Sequence, residues 1–225
     1  MQLRFLKKMM GVRLATANAF VYLELGVLPI EYEIQTRQLS FLHHIVNLSE
    51  DDPVKKIWRN QTSLPDHRNW WSNVKQLMEK YSINLSETEI MAMSKDRFKK
   101  KVKEAVRQYA FSKLRDECKA KKRTQNLNYD QFQAQGYLSK LYPDKAKIVF
   151  KCRSKTLSIK DHTKFQQSNN ICRWCGATDE TLNHVVDCGS PKVKYNAQIA
   201  VDELHEEKLK EVAERVGEFL SKVEI

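Results

Sequence analysis

Four residues of this chain have the types and spacing for chemistry: Cys172, Cys175, His184 and Cys188. They lie in "CRWCGATDETLNHVVDCG" as Cys-x2-Cys-x8-His-x3-Cys, a stretch holding three of the five cysteines and one of the six histidines. A two-residue gap lets both thiolates of a tight turn face one ion, and Gly176 relaxes the backbone directly after the second cysteine. Thr178-Asp179-Glu180 reads as a helix start, with an N-cap and acids at the positive end of the dipole. His184 and Cys188, four apart, then project from one face of that helix. Three thiolates and an imidazole suit zinc rather than magnesium or calcium. Four protein ligands close the tetrahedron and leave no bound water to activate, so the expected cofactor is one structural Zn2+. Such a site keeps about one net negative charge, which Arg173, Lys164 or Arg153 would offset. So short a segment buries no core of its own, and metal binding, on the order of 10 kcal/mol, must hold it folded. A redox Cys-x-x-Cys is the competing reading, and the nearby His-x3-Cys half argues against it. His43, His44, His67, His162, His205 and Cys152 have no comparable partners and are expected at the surface or in packing.

The elements that position these residues read as mostly helical. Thr16 is expected to cap a short helix carrying Ala19, Phe20 and Leu23 inward and stopping at Gly26. Pro29 opens a second helix with Ile30, Ile34, Phe41, Leu42 and Ile45 as its apolar positions, ended by "SEDDP". Trp70, Trp71, Val74, Leu77, Met78 and Tyr81 form another amphipathic stripe, and Ser86 with Glu89 makes a capping box. The longest helix is predicted from a cap at Ser94 to about Arg123. Phe98, Val102, Val106, Tyr109 or Ala110, Leu114 and Cys118 line its inner face, which makes Cys118 a buried thiol. Tyr129, Phe132, Tyr137 and Leu138 suggest a short helical piece, and "KIVFKCR" a brief strand. A last amphipathic helix carries Val201, Leu204, Leu209, Val212, Val216, Phe219 and Val223. The resulting expectation is a mainly α chain in four parts: a helical region over 1–125, a basic linker over 126–170, the zinc knuckle over 171–192 and a C-terminal amphipathic helix over 193–225.

Charge narrows the partners. The formal net charge is +11, and residues 61–192 alone hold 26 basic against 14 acidic side chains. That excess favours a polyanion over a small-molecule substrate. Lys99, Lys103, Arg107, Lys121, Lys122 and Arg123 are the candidate phosphate contacts, although such runs also serve as plain solvated helix faces. Trp174, between the first two ligands, either stacks on an unpaired base while Arg173 holds a phosphate, or packs on the knuckle's own helix near Val185. The apolar stripe over 201–223 lacks an evident partner segment and offers a route to self-association, unless it packs back on residues 1–125. The apolar piece Leu14–Ile30 is broken by Asn18, Glu24, Gly26 and Pro29, so neither a membrane span nor a signal peptide is expected, and the location is nuclear or cytoplasmic.

The cysteine-histidine cluster resembles the zinc knuckle near the C-terminus of reverse transcriptases from non-LTR (LINE-type) retrotransposons. The upstream "YLELGVLPIEYEIQTRQLSFLHHIV" is similar to the segment after the polymerase palm in those proteins, through Leu23, Glu24, Gly26, Leu28, Pro29 and Ile30 and then Arg37, Leu39, Phe41 and Leu42. The likeness spans Met1 to about Pro191. It implies a thumb-like helical bundle over residues 1–125 that grips template and primer. It further implies a knuckle that helps hold RNA or target DNA. The family's catalytic aromatic-x-Asp-Asp turn between apolar strands has no counterpart, because the one Asp-Asp, Asp51-Asp52, sits in "LSEDDP". Pro143-Asp144 with Glu206-x-Lys208 makes no convincing nuclease string. A non-catalytic nucleic-acid-binding piece is therefore expected, ahead of an assembly module or a residual polymerase or nuclease.

Overall fold

The computed structural model describes residues 1–64, 69–162, 169–188 and 206–223. Among them it is helical, with no strand. The order is α1 (Gln2–Met9), α2 (Asn18–Leu25), α3 (Ile30–Val46), α4 (Pro53–Ser63), α5 (Trp70–Lys80), α6 (Glu87–Ala92), α7 (Lys95–Lys119), α8 (Tyr137–Lys140), α9 (Pro143–Arg153), α10 (Leu182–Asp187) and α11 (Glu206–Val223). Two compact units form, one from Met1–Val27 with Leu114–Ile225 and one from Leu28–Lys113. They divide the chain elsewhere than at residues 125, 170 and 192. No described helix is long and apolar enough to cross a membrane.

The second unit, residues 28–113, is built on the inner face of α7, where Phe98, Val102, Val106 and Ala110 are buried as their spacing predicts. Helix α3 turns only part of the expected set inward, Leu42 and Ile45. Tyr32, Leu39, Leu42, Ile45 and Val46 are buried, while Ile30, Ile34 and Phe41 are exposed. Its sequence offers two stripes of helical period, and periodicity cannot choose between them. Packing selects the one with Tyr32, whose ring stacks under Lys80 together with Tyr81 and Tyr109, at 5.0 to 5.5 Å from the ammonium. Helix α4 was not expected. Its start is nonetheless written in Asp52-Pro53, for Asp52 accepts from Val54 N (2.8 Å) and Pro53 opens the first turn. From it Lys55, fully buried, donates to Val46 O at 2.6 Å, placing a cation at the negative end of the α3 dipole. The capping box of Ser86 and Glu89 is present at α6. Ser94 Oγ accepts from Arg97 N at the start of α7.

The first unit has a charged core. Glu24 on α2 is fully buried, and its carboxylate accepts from Tyr129 Oη (2.7 Å), Tyr137 Oη (2.7 Å) and Arg153 Nε (2.5 Å). A buried carboxylate persists only when paired and hydrogen-bonded, and these three donors supply both conditions. Gly26 ends α2 in the left-handed region at φ +61°, and a Cβ there would lie 2.2 Å from Ala134 N. The chain after α7 thus crosses directly over that glycine, and Gln135 N donates to Glu24 O at 3.0 Å. Thr16 does not cap α2. Ala17 holds the cap position, and the Thr16 carbonyl accepts from the buried Lys7 ammonium at 2.6 Å.

Two further expectations are corrected in this unit. "KIVFKCR" is not a strand but the body of α9, with Ala146, Val149, Phe150 and Cys152 buried. Pro143 at the first helical turn starts it, and seven residues are too few for periodicity to separate the two states. The apolar stripe of α11 is not free over its described part. Leu209, Val212, Val216 and Phe219 are buried as α11 packs on α9 and α10, and Gly217 lets Ile148 approach. Val201 and Leu204 lie outside the described residues, as do His67 and His205.

Candidate metal centre

The four ligand candidates converge. One donor atom from each of Cys172, Cys175, His184 and Cys188 lies within 4.8 Å of all the others. Cys172 Sγ is 3.8 Å from Cys188 Sγ, and Cys175 Sγ is 3.2 Å from His184 Nε2.

Local structure explains the convergence. A single antiparallel bridge joins Ile171 to Asp179, with Cys172 N donating to Thr178 O (2.7 Å) and Glu180 N to Asn170 O (2.7 Å). Between them Gly176, at φ +67°, closes the turn by donating to Cys172 O (3.0 Å), the role its position predicts. The helix begins later than expected. Thr181 is the N-cap and accepts from His184 N (3.1 Å), so Thr178, Asp179 and Glu180 belong to the turn and bridge before α10. The helix also ends at Asp187, and Cys188 is its extended C-cap, tied by its N–H to His184 O (2.7 Å). His184 and Cys188 therefore meet through a helix end, not along a continuous helix face.

Outer contacts orient the donors. Thr178 Oγ1 lies 3.0 Å from His184 Nδ1, which fixes the ring with Nε2 toward Cys175. Trp174 N and Ala177 N donate to Cys172 and Cys175 sulfur at 3.4 and 3.5 Å. The thiols are pulled apart in acidity. The Ala177 N–H chiefly, with contacts from Cys172 and Cys188, brings the exposed Cys175 down to about 6. Burial first, and then the neighbouring Cys172 and Cys175, push Cys188 up to about 12. Near neutral pH Cys175 is thus drawn toward the thiolate while Cys188 is held as a thiol. A divalent cation removes that difference, so the donor set fits a metal ion.

The expected counter-charges are committed elsewhere. Arg173 grips the fully buried Glu180, with Nη2 at 2.7 Å from Oε1 and Nε at 3.0 Å from Oε2, and gives a further hydrogen bond to Ser158 O at 2.6 Å. The same carboxylate accepts from the backbone N–H groups of Arg173 and Lys160, both at 3.0 Å. Arg153 is held by Glu24, and Lys164 lies outside the described residues. Trp174 is half-buried. It packs on Phe219 of α11 at 5.8 Å between ring centroids, with Lys222 Nζ 4.2 Å from its own ring centroid. Thr178 and Glu180, read in the sequence as part of a helix start, instead anchor the knuckle through His184 and Arg173, a role that no spacing rule marks.

The basic candidates fall on both units. Lys99, Lys103 and Arg107 are exposed on α7 in the second unit, beside its buried stripe. Lys121 and Lys122 are exposed after α7 in the first unit. Arg123 is exposed too, but its guanidinium donates to Lys155 O (3.2 Å) and His162 O (3.3 Å). Among the remaining histidines, His43 and His162 are buried. His43 Nε2 is 2.9 Å from Met93 O, and His162 Nδ1 accepts from Leu157 N. Cys118 and Cys152 are buried thiols, and burial pushes both up, Cys152 to about 12. A scan against protein-family models, a search of curated proteins and a search of solved structures found no match.

Proposed function

We propose that residues 171–188 form a structural zinc knuckle within a non-catalytic, zinc-dependent module that binds RNA or DNA. The observation that carries the metal half is the convergence of four donor atoms within 4.8 Å, in a set of three sulfurs and one nitrogen. Zinc suits that softness and tetrahedral number better than any hard cation. All four positions belong to the protein, so the ion's task is to hold the turn and α10 together rather than to activate water.

The nucleic-acid half rests on charge. The excess of 26 basic over 14 acidic residues between 61 and 192 includes the exposed Lys99, Lys103, Arg107, Lys121 and Lys122. The likeness of the knuckle and of the Leu23–Ile30 string to the C-terminal region of LINE-type reverse transcriptases supports the same reading. Asp51-Asp52 lies in the turn before α4, with Asp52 capping it, which is no setting for a pair of polymerase metal ligands.

One pair of measurements tests the proposal. Native mass spectrometry is expected to give one zinc ion per chain, removed by chelator. Filter binding of the same samples to single-stranded RNA is expected to fall steeply with salt, with a log–log slope of about −3.5 if about five phosphates are contacted. A chain that takes up no zinc sinks the first half, and one that binds no nucleic acid sinks the second.

A further inference from the structure

The positive charge of α7 is sorted around the helix. From Lys95 to Lys113, all within the second unit, eight basic and two acidic side chains are exposed. Positions four apart stack along a helix, so this segment forms four rows. Phe98, Val102, Val106 and Ala110 make the buried one. The outermost row mixes its signs, with Asp96, Lys100 and Glu104. In a third row Arg97 and Lys101 lead to Tyr109. Lys101 there acts on Glu89 of α6, whose carboxyl is held below the ordinary range by the Ser86 N–H chiefly and by this lysine in smaller part.

The fourth row is Lys95, Lys99 and Lys103, continuing into Arg107. Arg107 already interacts within the chain, but the three ammonium groups have no hydrogen bond or ion pair among the described residues. Like charges at i and i+4 destabilise a helix, and Lys95 also sits at the positive end of the α7 dipole. Folding gains nothing from this row. A polyanion laid along it relieves both repulsions.

Geometry selects the kind of polyanion. At about 1.5 Å per residue, the three lysines follow one another at roughly 6 Å and cover roughly 12 Å in a straight line. A single phosphodiester strand is flexible and can be drawn along such a row. A duplex backbone winds once in about 34 Å, so over the same length it passes about a third of the way round its axis and leaves the row. Asp96 and Glu104 on the outermost row also set like charge against the phosphates that flank a groove, which disfavours seating α7 in one. Lysine is a point charge without a planar fork, suited to holding a backbone rather than reading base edges.

We infer that the row of Lys95, Lys99 and Lys103 is a phosphate track for one single strand of nucleic acid, holding its backbone along α7. The inference rests on the nucleic-acid reading above and singles out three of the exposed cations of α7 from the others. Lys95 is an addition to the candidates that the sequence marks.

The test uses the full chain and a fluorescein-labelled oligouridylate, read by anisotropy over a salt series. Lys95→Gln with Lys99→Gln and Lys103→Gln is expected to flatten the log–log slope by about 2, or about 0.7 for each of three contacts. The loss of affinity should then be about a hundredfold greater at about 0.1 M salt than at about 1 M. A charge-matched control, Arg97→Gln with Lys100→Gln and Lys101→Gln, is expected to change the slope by less than about 0.7, one contact's worth. Unchanged binding in the row variant, or equal effects of the two triple variants, overturns the track and leaves the general reading standing. Tighter binding of the same strand annealed to oligoadenylate, with the same dependence on the row, overturns the choice of a single strand. A wild-type chain that binds neither form overturns the general reading and the track with it. All six positions are exposed on α7, and circular dichroism verifies that the variants keep their helix.

Discussion

Glu24 and Glu180 are both fully buried carboxylates, and each is satisfied by an arginine and further donors. Around Glu24 the donors are phenols. Burial, then the neighbouring carboxylate, lifts Tyr129 and Tyr137 far above the ordinary range, so both remain protonated donors. A neutral form favoured by the fold stabilises it fully below the unfolded value of about 10 and progressively less as pH rises beyond it. Alkaline unfolding followed by circular dichroism should therefore coincide with the late tyrosinate absorbance of these residues. Tyr129→Phe should cost about 1.5–3 kcal/mol in urea unfolding at neutral pH, because a charged acceptor loses a donor. Around Glu180 the sign is opposite. Burial alone would raise its carboxyl, but the Arg173 side chain and the Arg173 and Lys160 backbone N–H groups outweigh burial and hold it below the ordinary range. Its stabilisation is present above the unfolded value near 4.3 and is lost as pH falls below that. Glu180→Gln should accordingly reduce stability by roughly 1–3 kcal/mol at pH 7 and by less in acid, read by urea titration at both pH values.

Among the elements, α7 and the knuckle turn were the most legible in the sequence, and for different reasons. Helix α7 repeats its apolar positions over 25 residues, enough turns for periodicity to fix its inner face. The knuckle was legible because three cysteines and a histidine at that spacing rarely gather except around a metal ion, and Gly176 marks its turn. Helices α9 and α10 were not read correctly. Over six to eleven residues, period and propensity compete with contacts that sequence does not display. Tyr129 and Tyr137 were read as helix-forming aromatics because nothing local announces that their hydroxyls meet a carboxylate more than 100 positions earlier. Trp174 resisted reading for the same reason, since its partner is Phe219. Trp174→Ala should leave zinc uptake intact yet lower stability by about 1–3 kcal/mol, less than a fully buried tryptophan would, through lost packing and the lost Lys222 contact. Gly26→Ala should be worse tolerated than any surface change. It combines a left-handed backbone with a Cβ 2.2 Å from backbone nitrogen, and a loss above about 2 kcal/mol is expected in thermal unfolding.

At the scale of the whole molecule, the metal site and the charged core both belong to the first unit, whereas α3 to α6 belong to the second. Chelation is therefore expected to act unevenly. Hydrogen exchange should quicken in α10 and α11 when a metal ion is withdrawn from the four-donor site, because Trp174 no longer braces Phe219, and protection in α3 to α6 should be unchanged. Uniform loss of protection would contradict this. The first unit is also made of two stretches of chain, residues 1–27 and 114 onward, with the entire second unit inserted between them. During synthesis, α2 leaves the ribosome with Glu24 unpaired, and its arginine follows 129 positions later. At about 5–20 residues per second, that is roughly ten seconds of waiting. The inserted helices can fold in that interval, but the opening segment cannot. It must keep a carboxylate and a run of apolar side chains solvated until its partners emerge, which makes the nascent chain, rather than the finished protein, the form most in need of a chaperone.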